Sequence, residues 1–184
     1  VFTSGATEAN HIVLRNFIGS KAIFSSCEHP SITSFAHKYR LSYQEIVLQE
    51  DGHLCEESLL KKIDKNTKLV SLIYINNETG LILPVAEIAR AVKAIRSDIH
   101  IHIDAVQALG KLDLSWLATS CIDSASFSGH KVGAFKGVGF LFLKNPNHFI
   151  QYPGSQEMGI RPGTENLLGA VSLGTVAKQM TSTP

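Results

Sequence analysis

The sequence predicts an α/β fold, a mostly parallel seven-stranded sheet with helices on both faces. Three observations predict it. Short apolar runs rich in β-branched and aromatic residues are bounded by polar or glycine-containing segments, as strands are. Strand-like and helical runs alternate along almost the whole chain, which favours parallel strands joined by covering helices. Polar residues gather just after several strand-like runs, where ligands bind in open α/β sheets.

In chain order, strands are expected near Val1–Thr3, Ala22–Ser25, Tyr43–Leu48, Leu69–Ile75, Ile99–Ile103, Ser124–Phe127 and Gly139–Leu143. Helices are expected at about Glu8–Phe17, Ile32–Tyr39, Glu56–Ile63, Val85–Ile95 and Asn166–Lys178. Pro84 stands just inside the start of the fourth helix, where a missing N–H costs little. Leu83, Ile88, Val92 and Ile95 give that helix an apolar stripe. No repeat, low-complexity tract or interdomain linker interrupts the pattern. Val1-Phe2-Thr3 reads as the tail of a strand, and Thr181 to Pro184 continue a helical pattern without a closing element. Residues 1–184 therefore read as the central large domain of a longer protein, truncated at both ends.

Composition removes several classes of function. A net charge of +1 gives no reason to expect nucleic acid or an anionic membrane as partner. No apolar run approaches the roughly 20 residues that span a bilayer, and no signal peptide is visible. Cys27, Cys55 and Cys121 are odd in number and widely spaced, which argues against a disulfide framework or a metal site and fits a reducing, cytoplasmic compartment; an organellar matrix fits equally.

The chemistry is concentrated in Ser126-Phe127-Ser128-Gly129-His130-Lys131 and His102-Ile103-Asp104-Ala105-Val106-Gln107. The set suits pyridoxal 5'-phosphate (PLP): an amine for a Schiff base, a hydroxyl and an imidazole for phosphate, and a carboxylate for the protonated pyridine nitrogen. Asp104 ends an apolar strand, where an unpaired charge is expensive and a pyridinium would be a partner. A turn-capping role is its plainer reading. Lys131 precedes the glycine-rich Gly133 to Gly139, where backbone can approach a ligand closely, and Lys136 is its weaker rival. Ser4-Gly5-Ala6-Thr7-Glu8 leads from turn to helix, a natural phosphate cradle, or a helix capped by Thr7. His29 stands between strand and helix, able to stack on a ring and move protons, or simply to cap the turn. His100 and His102 are read as structural or solvent-facing.

Taken together these segments resemble the cysteine desulfurases, the NifS-like enzymes of the class V aminotransferase family. Matching stretches are Phe2 to Glu8, Glu28-His29, Asn76-Asn77-Glu78-Thr79-Gly80, His102 to Gln107, Ser126 to Lys131 and Arg161-Pro162-Gly163-Thr164-Glu165-Asn166, in the family's order and spacing. The resemblance implies the large domain of a fold-type-I PLP enzyme that takes sulfur from L-cysteine as an enzyme persulfide and releases L-alanine. It implies Lys131 as the Schiff-base lysine, Asp104 as pyridinium partner, Gln107 at the ring hydroxyl and His29 stacked on the ring. Ala6, Thr7, Ser128 and His130 would hold the phosphate, and Asn77 the substrate carboxylate and the cofactor. Thr164 would reach the phosphate of the other subunit in a homodimer, and sulfur acceptor or scaffold proteins would be partners. Ala134-Phe135-Lys136-Gly137 departs from the family's usual glycine-proline-lysine-glycine, which implies a local loop change without loss of cofactor. The family's persulfide cysteine and carboxylate-binding arginine lie beyond Pro184. A selenocysteine lyase, another class V enzyme, or a non-catalytic remnant that binds a partner are the alternatives.

Overall fold

The computed structural model describes residues 1–49 and 55–182. Its framework is one sheet of seven strands in the order β1-β7-β6-β5-β4-β2-β3. The strands are β1 (Phe2–Thr3), β2 (Lys21–Ser25), β3 (Ser42–Ile46), β4 (Thr67–Ile73), β5 (His100–Asp104), β6 (Ser124–Ser128) and β7 (Gly139–Leu143). From β3 through β2, β4 and β5 to β6 every pairing is parallel; β7 runs antiparallel to β6 and β1 antiparallel to β7. The connection from Lys131 to Gly139 is too short for a parallel crossover, so β7 must return antiparallel.

Helices cover both faces, as the alternation predicts. On one side α1 (Ala6–Arg15) and α2 (Pro30–Tyr39) bury Ala9, Ile12, Val13, Ile32, Phe35 and Ala36 against Ala22, Phe24, Leu69 and Leu141. On the other, α3 (Glu56–Lys62) and α4 (Val85–Ile95) bury Leu59, Val85, Ile88, Ala89 and Val92 against Ile23, Val70, Leu72, Ile101 and Ile103. Successive residues of β2 and β4 thus serve opposite cores, which is why these strands read as unbroken apolar runs. A last helix, α5 (Leu167–Ser182), follows the segment around Arg161 to Asn166.

The structure moves some boundaries. The fifth strand extends to Asp104 because Asp104 pairs with Ile73 in register. The third stops at Ile46, opposite Ser25, where its only partner strand ends. Ile75 lies beyond β4 in an isolated antiparallel bridge to Ile82. Pro84 is the residue before α4, not inside it, and Ile95, expected in the apolar stripe, is 52 % exposed at that helix's last turn. No helix among the described residues is long and apolar enough to cross a membrane.

Candidate active site

The carboxyl ends of the parallel strands open into a cavity of about 510 Å³. Nine of the residues expected at the site line it: Ala6, Thr7, His29, Asn77, Asp104, Gln107, Ser128, His130 and Lys131. Lys136, the rival amine, lines it too. Thr164 does not; it is exposed in the segment before α5.

Each lining group is placed by its element. The first helix begins at Ala6 after Gly5, and Gly5 provides no side-chain cap, so Thr7 lies within the first turn instead of capping it. The initial N–H groups of α1 have no carbonyl a turn below them, and Ala6, Thr7 and Glu8 at this positive end of the helix dipole line the cavity. The turn is pressed against β7: a Cβ on Gly139 would lie 2.5 Å from the Phe127 carbonyl oxygen and 2.7 Å from Gly5 Cα. Across the cavity, Ser128 Oγ and His130 Nδ1 are 2.9 Å apart. Lys131 ends a single 3-10 turn, Gly129–Lys131, directly after β6, and lines the cavity.

His29 is both a cap and a cavity residue. Its Nδ1 accepts the Ser31 backbone N–H at 3.1 Å at the start of α2, and the Ser31 hydroxyl lies 2.9 Å from the same nitrogen. An Nδ1 so engaged leaves the ring proton of neutral His29 on Nε2. Gln107 is oriented in a similar way: Lys111 Nζ donates to its Oε1 at 2.6 Å, so its NH₂ is turned to donate elsewhere. Asn77 rides on a turn built by Asn76, whose Oδ1 accepts from the backbone of Glu78 and Thr79 while its Nδ2 donates to the Cys27 carbonyl.

Asp104 caps a turn and also lines the cavity. One oxygen caps the following turn by accepting the Val106 N–H at 3.1 Å; the other accepts Asn10 Nδ2 at 2.9 Å. The residue is 4 % exposed, and burial pushes its carboxyl up against the pull of those two bonds and of His29. Behind it, buried Glu28 takes the Ser25 hydroxyl on Oε1, and burial first, then the Asp104 charge, raises its carboxyl to about 8. Glu28 therefore holds its proton at pH 7.

The donor set fits PLP. A buried carboxylate short of a cation, an amine at a strand end, an imidazole and a helix N-terminus converge on one cavity of suitable chemistry. Among the described residues no three His, Cys, Asp or Glu side chains gather as a metal site. Sequence reasoning missed Asn10 and Ser31. An asparagine within a helix and a serine after a proline carry no signal until burial and partners are seen.

The description Aminotransferase class-V matches residues 1–183. The chain belongs to that family. A cysteine desulfurase of Nostoc sp. is 37% identical over 190 residues, covering 97% of this chain and 46% of the relative. A NifS/IcsS protein homolog of Lactobacillus delbrueckii is 36% identical over 188 residues, 96% of this chain and 49% of the relative. The chain thus spans about half the length of the curated relatives it matches. A solved NifS-like protein superposes with a TM-score of 0.89 at 30% identity, over 98% of this chain and 52% of that one. DndA from Streptomyces lividans superposes at 0.87 and 32% identity, over 99% and 55%. The class V chain therefore has the NifS-like fold of fold-type-I PLP enzymes. In its loop 134–137 the exposed Phe135 donates its N–H to Ser172 Oγ of α5 at 3.0 Å, a bond proline cannot make.

Proposed function

We propose that this class V chain is the central PLP-binding large domain of a cysteine desulfurase, converting L-cysteine to L-alanine and handing sulfur on as a persulfide. The observation that carries the reading is the convergence of Lys131, Asp104 and His29 on one cavity from three separate strand ends. Bound PLP would supply an electron sink for bond cleavage next to the amino group of the substrate.

The chain's own residues take the remaining tasks. Lys131 would hold the cofactor aldehyde, and Asp104 the proton on its pyridine nitrogen. Gln107 would donate from its free NH₂ to the ring oxygen. The N–H groups of Ala6 and Thr7, with Ser128 and His130, would bind phosphate. His29, whose ring lines the cavity, would move protons to and from the substrate, donating as the imidazolium and accepting as the neutral ring. Asn77 would orient the substrate carboxylate. Thr164, exposed outside this cavity's lining, would serve the phosphate of a second subunit, and sulfur-acceptor proteins would receive the product sulfur. Cys27, Cys55 and Cys121 are free and half-buried, and burial raises the Cys27 thiol, a poor setting for a sulfur carrier. The persulfide is assigned to a cysteine outside these residues.

Borohydride reduction of the full-length protein tests the reading. Cofactor should be fixed on the peptide that contains Lys131; recovery on Lys136 or on Lys144 refutes the assignment.

A further inference from the structure

Asn10 is fully buried in α1. Its Nδ2 lies 2.9 Å from both Asp104 Oδ2 and Ser31 Oγ, and its Oδ1 lies 3.0 Å from His102 Nε2. A carboxylate only accepts, so the NH₂ must face Asp104 and the carbonyl must face His102. His102 therefore carries its proton on Nε2. Its Nδ1 then accepts the Ser124 hydroxyl at 2.8 Å, and Ser124 Oγ in turn accepts His100 Nε2 at 2.7 Å. Burial keeps both imidazoles neutral, drawing His100 down to about 4 and His102 to about 3. Every link from β5 and β6 through α1 donates in one direction, and one limb of the chain ends on Asp104.

We propose that Asn10 is a positioning residue, fixing the direction of this buried hydrogen-bond chain so that Asp104 remains an acceptor aimed at the pyridine nitrogen of the cofactor. The inference rests on the PLP reading above. Around Asp104 stand Asn10, the Val106 N–H, His29 and neutral Glu28. Among the described residues, removing Asn10 leaves the Val106 N–H as the hydrogen bond to a carboxylate 4 % exposed. Such a group takes up a proton and ceases to pair with a pyridinium.

The test compares two ligands on the full-length apoprotein, PLP and 1-deaza-pyridoxal phosphate, in which a C–H replaces the ring nitrogen. Both offer the same aldehyde and phosphate, but only PLP can present a proton to Asp104. Wild type should prefer PLP. In Asn10→Leu that preference should fall by about ten-fold or more, the loss of one hydrogen bond to a charged group. A packing role alone weakens both ligands equally; an unchanged ratio overturns the proposal. Ser124→Ala removes only the far hydroxyl that fixes the His102 tautomer, and should lower the ratio in the same direction by a smaller factor. Should Asn10→Leu fail to fold, an unchanged ratio in Ser124→Ala overturns the proposal by itself. Wild type that binds neither ligand refutes the PLP reading, whereas wild-type preference that survives in Asn10→Leu refutes only the role of Asn10.

Discussion

Glu28 and Asp104 are two buried carboxyls, both pushed up by burial, and Glu28 feels the Asp104 charge as well. The carboxyl of Glu28 rises to about 8 through burial and the neighbouring Asp104 charge, from an ordinary 4.5. The folded chain therefore holds a proton that the unfolded chain has released across that window. Its stabilising contribution is full below about 4.5 and is lost as pH rises through about 8. Glu28→Gln keeps the shape and removes the titration. The stability of wild type relative to Glu28→Gln should fall from pH 5 to 8 by about 1.4 kcal/mol per pH unit. Urea unfolding of the two proteins at matched pH measures it, and a difference that stays flat contradicts the buried proton. Lys131, Asp104 and His29 were legible in the sequence because each follows an apolar strand, where a polar side chain needs a reason. Asn10 was not, since its meaning lies entirely in partners up to 94 residues away.

The same division holds for elements. Strand and helix existence was legible because apolar residues follow each period cleanly, as in Ala22 and Phe24 against Ile23. Ends were less so, because a strand stops where its neighbour stops: Ile46 opposite Ser25, Asp104 opposite Ile73. The turn before α1 is read in the sequence as a phosphate cradle, while its close contact with β7 carries no sequence signal. That contact makes Gly139 the element-level weak point. Gly139→Ala would drive a methyl into the Phe127 carbonyl and Gly5 Cα. It should cost about 1–3 kcal/mol of stability by overpacking. Because the displaced backbone leads directly into Ala6 and Thr7, PLP affinity should fall as well. Unfolding midpoints and cofactor titration of the same preparation check both effects. Stability loss with unchanged cofactor affinity would show that the turn is not part of the phosphate site.

At the scale of the whole molecule, one expected site residue and an apolar helix face lie outside the cavity. Thr164 is exposed outside the cavity lining, and α5 close after it exposes Leu167 at 70 %, Leu168 at 77 % and Val171 at 67 %. Adjacent apolar side chains this exposed mark a surface that another subunit or domain covers. The proposed dimer places a second copy there, with Thr164 reaching the partner's phosphate. Mixing Thr164→Ala with Lys131→Ala subunits of the full-length protein separates that arrangement from a purely local one. In the shared arrangement a mixed dimer has one site with both lesions and one with neither. In the local arrangement each site keeps one lesion. Thr164→Ala alone should loosen PLP by the energy of one charge-assisted hydrogen bond, roughly 1.5–3 kcal/mol. At a PLP concentration too low to load those homodimers, mixing should restore one tightly loaded, active site per mixed dimer. Confirmed heterodimers without such a site would return Thr164 to its own chain and leave the exposed face of α5 to a different partner.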